Sequence, residues 1–160
     1  MKGKITLVAI LLFLTLATST SAMLQTASAK AMKTEFSAEF GWGGGGPYLD
    51  RIAGQTTHRR DRTTYLVIEQ SDQTLFDGTL VRMVNFNRNN RRGISLRWGT
   101  FEIVLDDIVL WRGTWTGKAV EGITTENFAG HGVGDLKGMH IKFTRMSNLV
   151  VTGFILDTHG

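Results

Sequence analysis

The chain has 160 residues, a single proline, no cysteine and a formal charge of +4. The lack of cysteine excludes thiol catalysis, cysteine-based zinc sites and disulfide redox work, and it leaves the fold to be held by its core alone. Residues 1–29 contain two lysines and no acids, so without them the charge falls to +2; a general nucleic-acid role then loses its main support.

Lys2 and Lys4 form a basic start, Ile5 to Ala17 an apolar run short for a bilayer, and small residues follow. This is the pattern of a signal peptide. Thr20-Ser21-Ala22 and Ala27-Ser28-Ala29 both fit a cleavage site, the second better, which divides the chain into a signal peptide at 1–29 and a single domain at 30–160. The protein is expected to be secreted or otherwise extracytoplasmic, touching a membrane only if the leader stays uncleaved as an anchor.

Thr34 to Phe40 alternates Phe36, Ala38 and Phe40 with Glu35, Ser37 and Glu39, a half-buried strand. The glycines from Gly41 to Gly46, ending at Pro47, read as a flexible loop or lid, with Trp42 set to cap a barrel mouth; no GK[ST] follows to make them a phosphate cradle. Residues 47–62 read as irregular and polar. Strand character resumes over Thr63–Glu69, a turn falls at Ser71-Asp72-Gln73, and Phe76–Phe86 is the next strand.

Asn87 to Gly93 is a loop by local rules and the most basic spot in the chain. Arg88, Arg91 and Arg92 there are either a solvated hairpin tip or a contact for phosphate, an anionic glycan or a lipid headgroup. In Ile94–Leu105 the apolar phase changes from Ile94, Leu96 and Trp98 to Phe101, Ile103 and Leu105, which predicts a bulge or corner at Gly99. Asp106 and Asp107 form a turn.

From Val109 to Val120 the parity puts Trp111, Gly113, Trp115, Gly117 and Ala119 on one face; in Asn127–Leu136, Phe128, Gly130, Gly132, Gly134 and Leu136 share one. Alternate glycines need a bulky neighbour or a tight bend. An antiparallel pairing of Ala119 with Phe128 would set Trp115 against Gly132, Gly113 against Gly134 and Trp111 against Leu136. A tight turn at Lys137-Gly138 would then oppose Leu136 to Met139, Gly134 to Ile141 and Gly132 to Phe143. Met139–Arg145 and Leu149–Leu156 complete eight strands without a convincing helix. Such a chain is all-β, and its dense in-strand glycines favour one antiparallel barrel of about eight strands over the competing β-sandwich.

Phe76-Asp77-Gly78, Trp111-Arg112-Gly113, Trp115-Thr116-Gly117, Phe128-Ala129-Gly130, Leu136-Lys137-Gly138 and Val151-Thr152-Gly153 repeat one aromatic-or-aliphatic, x, Gly theme. Together with Gly130-His131-Gly132-Val133-Gly134-Asp135-Leu136-Lys137-Gly138, this resembles the allene oxide cyclase and dirigent barrels over residues 74–156. The resemblance implies a barrel that forms oligomers around a hydrophobic pocket, often without a metal. It carries over no pocket acid, since none matches a position in this chain.

No metal motif or cofactor loop is present in the sequence, and none of His58, His131, His140 and His159 stands at ligand spacing. His140 is expected to face Asp135 as a surface pair. Glu102 is the one candidate catalytic acid. A two-residue turn at Asp106-Asp107 would pair it beside Trp111 on the inner face; one more turn residue sends Phe101, Ile103 and Leu105 inside and Glu102 to water, which the apolar trio favours. Three functions are open. The favoured one is a module binding a small apolar ligand lined by Trp111, Trp115, Phe128 and Phe143; the others are a metal-independent isomerase or cyclase, and a surface protein oligomerising through Val104, Ile108 and Leu110.

Overall fold

The computed structural model describes residues 31–159, so the leader and its cleavage sites lie outside the described residues. Nine strands are found among them: β1 (Met32–Gly45), β2 (Asp50–Ala53), β3 (Thr56–Ser71), β4 (Thr79–Asn89), β5 (Ile94–Leu105), β6 (Ile108–Val120), β7 (Ile123–Gly132), β8 (Met139–Met146) and β9 (Val150–Asp157). Neighbours pair antiparallel from β3 through to β9, β9 pairs with β1, and β1 returns to β3. The result is a closed eight-stranded barrel, which removes free edges, with β2 as an extra strand on β3.

Closure depends on β3 serving two partners. Its second half, Thr64–Ser71, pairs with β1, and its first residues, Thr56–Arg59, pair with β2. This overturns two expectations. Gly41–Gly45 is neither a loop nor a lid; the β1–β3 ladder runs to Gly45↔Thr64 through two bulges, and Trp42, paired with the inward Leu66, is 61% exposed. Residues 50–62 are a hairpin, whose apolar alternation is missing because its inward positions carry Arg59 and Arg62.

The β6–β7 register differs from the expected one by four residues: Ala119 faces Thr124, Trp115 faces Phe128, Gly113 faces Gly130 and Trp111 faces Gly132. The cause is the turn. Glu121 and Gly122 both take positive φ, 51° and 88°, so a two-residue hairpin zips the strands to their ends. The β7–β8 pairing moves likewise to Phe128↔Phe143 and Gly130↔Ile141, because a 3₁₀ turn at Gly134–Leu136 takes up the residues expected in the ladder. A shift of four preserves parity, so the inward faces are the expected ones.

Gly99 is not a bulge. On β5 the inner parity runs unbroken through Ser95, Arg97, Gly99, Phe101 and Ile103, with Leu96 outside and 54% exposed. Gly99 lies opposite Trp115, and an added Cβ would meet the Met83 carbonyl oxygen at 1.8 Å; that carbonyl accepts the Trp115 indole N–H at 3.0 Å. The real irregularity lies past Ile103. Asp106 and Asp107 form a two-residue turn with positive φ at both, and a bulge on β6 resets the pairing to Ile103↔Trp111 and Glu102↔Arg112.

One row of inward side chains crosses the barrel as Gly99, Trp115, Phe128, Phe143, Gly153 and Phe36 on successive neighbours. Phe128 and Phe143 stack at 4.4 Å between centroids, and Trp115 stacks on Phe128 at 5.7 Å. Phe76 belongs to the β3–β4 connection and not, as expected, to a strand; it tucks under this row, 4.3 Å from Phe36 and 5.1 Å from Phe143. This half of the barrel is a solid aromatic core.

Candidate functional site

The next inward row is chemically different. Asp50, Arg59, Phe86, Arg97, Gly117, Glu126 and Arg145 are cross-strand neighbours in that order, from β2 across β3, β4, β5, β6 and β7 to β8. Glu126 is two residues from Phe128 and Arg145 two from Phe143, so strand alternation turns them inward with those rings. Gly117 leaves the space into which Glu126 leans: a Cβ there would stand 2.8 Å from Glu126 Cγ.

Glu126 is fully buried and meets three guanidinium groups. Arg82, reaching across from β4, donates from Nη1 to Oε2 at 2.5 Å and from Nε to Thr64 Oγ1 at 2.9 Å, and lies 4.9 Å over the Trp115 ring. Arg145 Nε is 3.0 Å from the same Oε2, an ion pair without hydrogen-bond geometry. Arg97 Nη1 approaches Oε1 at 3.7 Å, while its Nε–H is buried without an acceptor. Burial pushes the Arg82 and Arg97 guanidinium groups below their ordinary range; Glu126 opposes this, and the neighbouring Arg145 adds to it. Arg59 and Arg88 also repel Arg97.

Toward the barrel end, Asp50 accepts two bonds from Arg59, both at 2.7 Å, which hold its carboxyl below the usual range and the Arg59 guanidinium above. The Arg59 guanidinium is sandwiched between Tyr48 at 3.5 Å and Phe86 at 4.6 Å; Arg62 lies 4.4 Å from the same Tyr48 ring, its Nε–H buried without an acceptor. Taken together, Arg59, Arg62, Arg82, Arg88, Arg97 and Arg145 face only Asp50 and Glu126, a formal excess of +4 toward one end of the barrel. Only Arg82, Arg145 and Glu126 of these are buried, and each uncompensated buried charge among them costs several kcal/mol on the usual scale.

Searches of protein-family models, curated proteins and solved structures return no match to this chain.

The expected site residues separate into different places. Trp111, Trp115, Phe128 and Phe143 all face inward as expected, but each is at most 3% exposed and they belong to the packed core, with the Trp111 indole N–H satisfied by the Leu75 carbonyl at 2.7 Å. Glu102 points outward from β5 and pairs with Arg112 at 2.7 Å; the bulge on β6 sends it to water while Phe101 and Ile103 go inside. Leu105, expected to join them, stays 36% exposed at the turn.

Arg88 lies at the end of β4 on the inner parity, next to the charged row, whereas Arg91 and Arg92 stay exposed in the turn, with the Arg92 N–H held by Asn89 Oδ1. His140 faces His131, not Asp135, following the shifted register; His58 bonds Asn87, and His159 reaches the Lys137 carbonyl. Leu110, placed outside by sequence, is half-buried against the core because it sits in the bulge, and Ile108 alone of that trio is strongly exposed at 64%.

Glu126, Arg82, Arg97 and Arg145 were not singled out by sequence. The signal was present in parity, two residues from Phe128, Val84, Gly99 and Phe143 respectively. It was hidden by the rule that a strand buries its apolar face, which in β5 selected Leu96 and Trp98 over Arg97.

A concave groove of about 440 Å³ also runs along the outer wall of β6–β9, lined on the outward parity by Thr114, Thr116, Asn127, Lys142, Thr144 and Phe154. It presents hydroxyl and amide groups with one cation, and no acid.

Proposed function

We propose that the protein is an extracytoplasmic binding module whose barrel takes a small anionic molecule at its arginine-lined end. The observation that carries this reading is the excess of six inward-facing arginines over Asp50 and Glu126, with three of them gathered on Glu126. The leader-like N-terminus supports the extracytoplasmic part. The aromatic half serves as the scaffold that holds the arginines at fixed spacing.

An apolar ligand among Trp111, Trp115, Phe128 and Phe143 has less support, since those rings cover one another's faces. For an isomerase or cyclase, Glu102 is engaged by Arg112 on the outer wall, and Glu126 has no exposed surface on which to meet a substrate. The glycine-built likeness to the allene oxide cyclase and dirigent barrels supports the architecture and assigns no ligand.

Calorimetric melting of the protein with anionic, neutral and apolar small molecules at low ionic strength tests the reading. Anionic compounds are expected to raise the melting temperature, with the shift shrinking as salt rises through the range that screens charge. Stabilisation by apolar compounds and none by anions would overturn it.

A further inference from the structure

Outside the charged row lies one more inward row, formed by Thr57, Arg88, Ser95, Ala119 and Thr124 on β3 through β7. Its members are small or hydroxylated except for Arg88. Because Ser95 and Ala119 are short, Arg97 keeps 31% of its side chain accessible although it projects from the inner face. Arg88 faces Ser95 directly, and Arg97 is the next inward residue on β5, a diagonal neighbour within reach of long side chains. Arg59 completes the group from β3, its position fixed by Asp50, Tyr48 and Phe86.

Resting on the anion-binding reading above, we infer that Arg88 and Arg97, with the Ser95 hydroxyl, form a site for one tetrahedral dianion, a phosphate or sulfate group. Two features favour a dianion over a carboxylate. The inward charge excess is +4, and a single negative charge leaves most of it uncompensated. The donors also come from two strands and two chemistries, guanidinium forks and a hydroxyl, which suits an oxyanion with acceptor oxygens on several sides better than a planar carboxylate. Arg82, Arg145 and Glu126 act as the layer beneath. Glu126 takes the first charge of the cluster and holds Arg97 from below through its Oε1, leaving the remaining donors of Arg97 to the ligand.

The test uses the full-length protein in titration calorimetry with inorganic phosphate, sulfate and acetate, repeated for Arg97→Gln, Arg88→Gln, Ser95→Ala and the loop pair Arg91→Gln/Arg92→Gln. Phosphate and sulfate should bind one to one and acetate at least roughly tenfold more weakly. Arg97→Gln and Arg88→Gln should each weaken phosphate by roughly tenfold or more, the scale of one charge-assisted hydrogen bond, and the loop pair should leave it nearly unchanged. Arg88 is exposed, so Arg88→Gln keeps the test decisive if Arg97→Gln fails to fold. Acetate binding as well as phosphate, or affinity lost in the loop pair but retained in Arg88→Gln, would overturn this inference while the anion-binding reading stands. Absence of binding by every anion would overturn both.

Discussion

Two adjoining rows of the same barrel, one residue pair apart on the same strands, are filled by opposite means. The row through Trp115, Phe128, Phe143 and Phe36 closes by stacking rings; the row through Arg97, Gly117, Glu126 and Arg145 closes by ion pairs around one carboxylate. Backbone geometry is common to both, so strand pairing does not require an apolar interior. What it requires is that each inward group be satisfied, either by contact area or by a partner. The aromatic row is satisfied within the described chain, whereas the arginine row is left in cationic excess, the feature on which the proposed anion binding rests.

The sharpest way to break this comparison is to remove one centrepiece from each row. Phe128→Ala should lower the stability measured by urea unfolding by about 3–5 kcal/mol, through lost transfer energy and a cavity. Glu126→Gln should cost a similar roughly 3–5 kcal/mol for a different reason, since it leaves three guanidinium groups without their counter-charge. The two rows part company on combined replacement. Arg82→Met, Glu126→Leu and Arg145→Met together should come within about 1–4 kcal/mol above the wild type or equal to it, because the removed charges no longer need compensation; a triple variant as unstable as Glu126→Gln would show that the cluster is an integral part of the fold.

A glycine beside the aromatic row and one in the charged row sharpen the contrast at smaller amplitude. At Gly130 an added Cβ would lie 2.7 Å from the Arg112 carbonyl oxygen and 2.9 Å from the Phe101 ring, both rigid, so Gly130→Ala should destabilise by roughly 1–3 kcal/mol. At Gly117 the nearest atom is Cγ of Glu126, the middle of a side chain that can turn. Gly117→Ala should therefore cost less in thermal unfolding than Gly130→Ala, and a larger loss would mean that Glu126 has no freedom to move.

The smallest expected effect is at the barrel end. The Asp50 carboxyl is held low by Arg59, so its folded value lies below the unfolded value of about 3.9. A depressed acid contributes stability that is fully present above its unfolded value and is lost as pH falls through its folded one. Asp50→Asn should thus melt slightly below the wild type from neutral pH down to about pH 4, and the two melting curves should converge below it. The pair is partly exposed and worth little in stability, so curves that converge at higher pH, or a large gap, would show that a different group controls the acid limb.

Much of the barrel was legible from local chemistry. Period-two alternation in β6 to β8 defined the inward face, and it survived a four-residue error in register because parity is unchanged by an even shift. The charged site was not legible, since Arg97 and Glu126 look like solvent-facing residues until their strands are given neighbours. The error at Gly99 has the same origin: with apolar residues assumed to point inward, Leu96 and Trp98 forced a bulge that β5 does not have.

The amino-acid order by itself determined the later strands, the turn at Asp106-Asp107, and the aromatic half of the core, because alternation and side-chain hydrophobicity are properties of neighbours along the chain. Only the closed barrel decided that Arg82, Arg97 and Arg145 converge on Glu126, with Arg59 in the same row. Their meeting depends on cross-strand register between residues as far apart as Arg59 and Arg145, and that register is set by two-residue turns and bulges whose positive-φ backbone is chosen by the energy of the whole sheet.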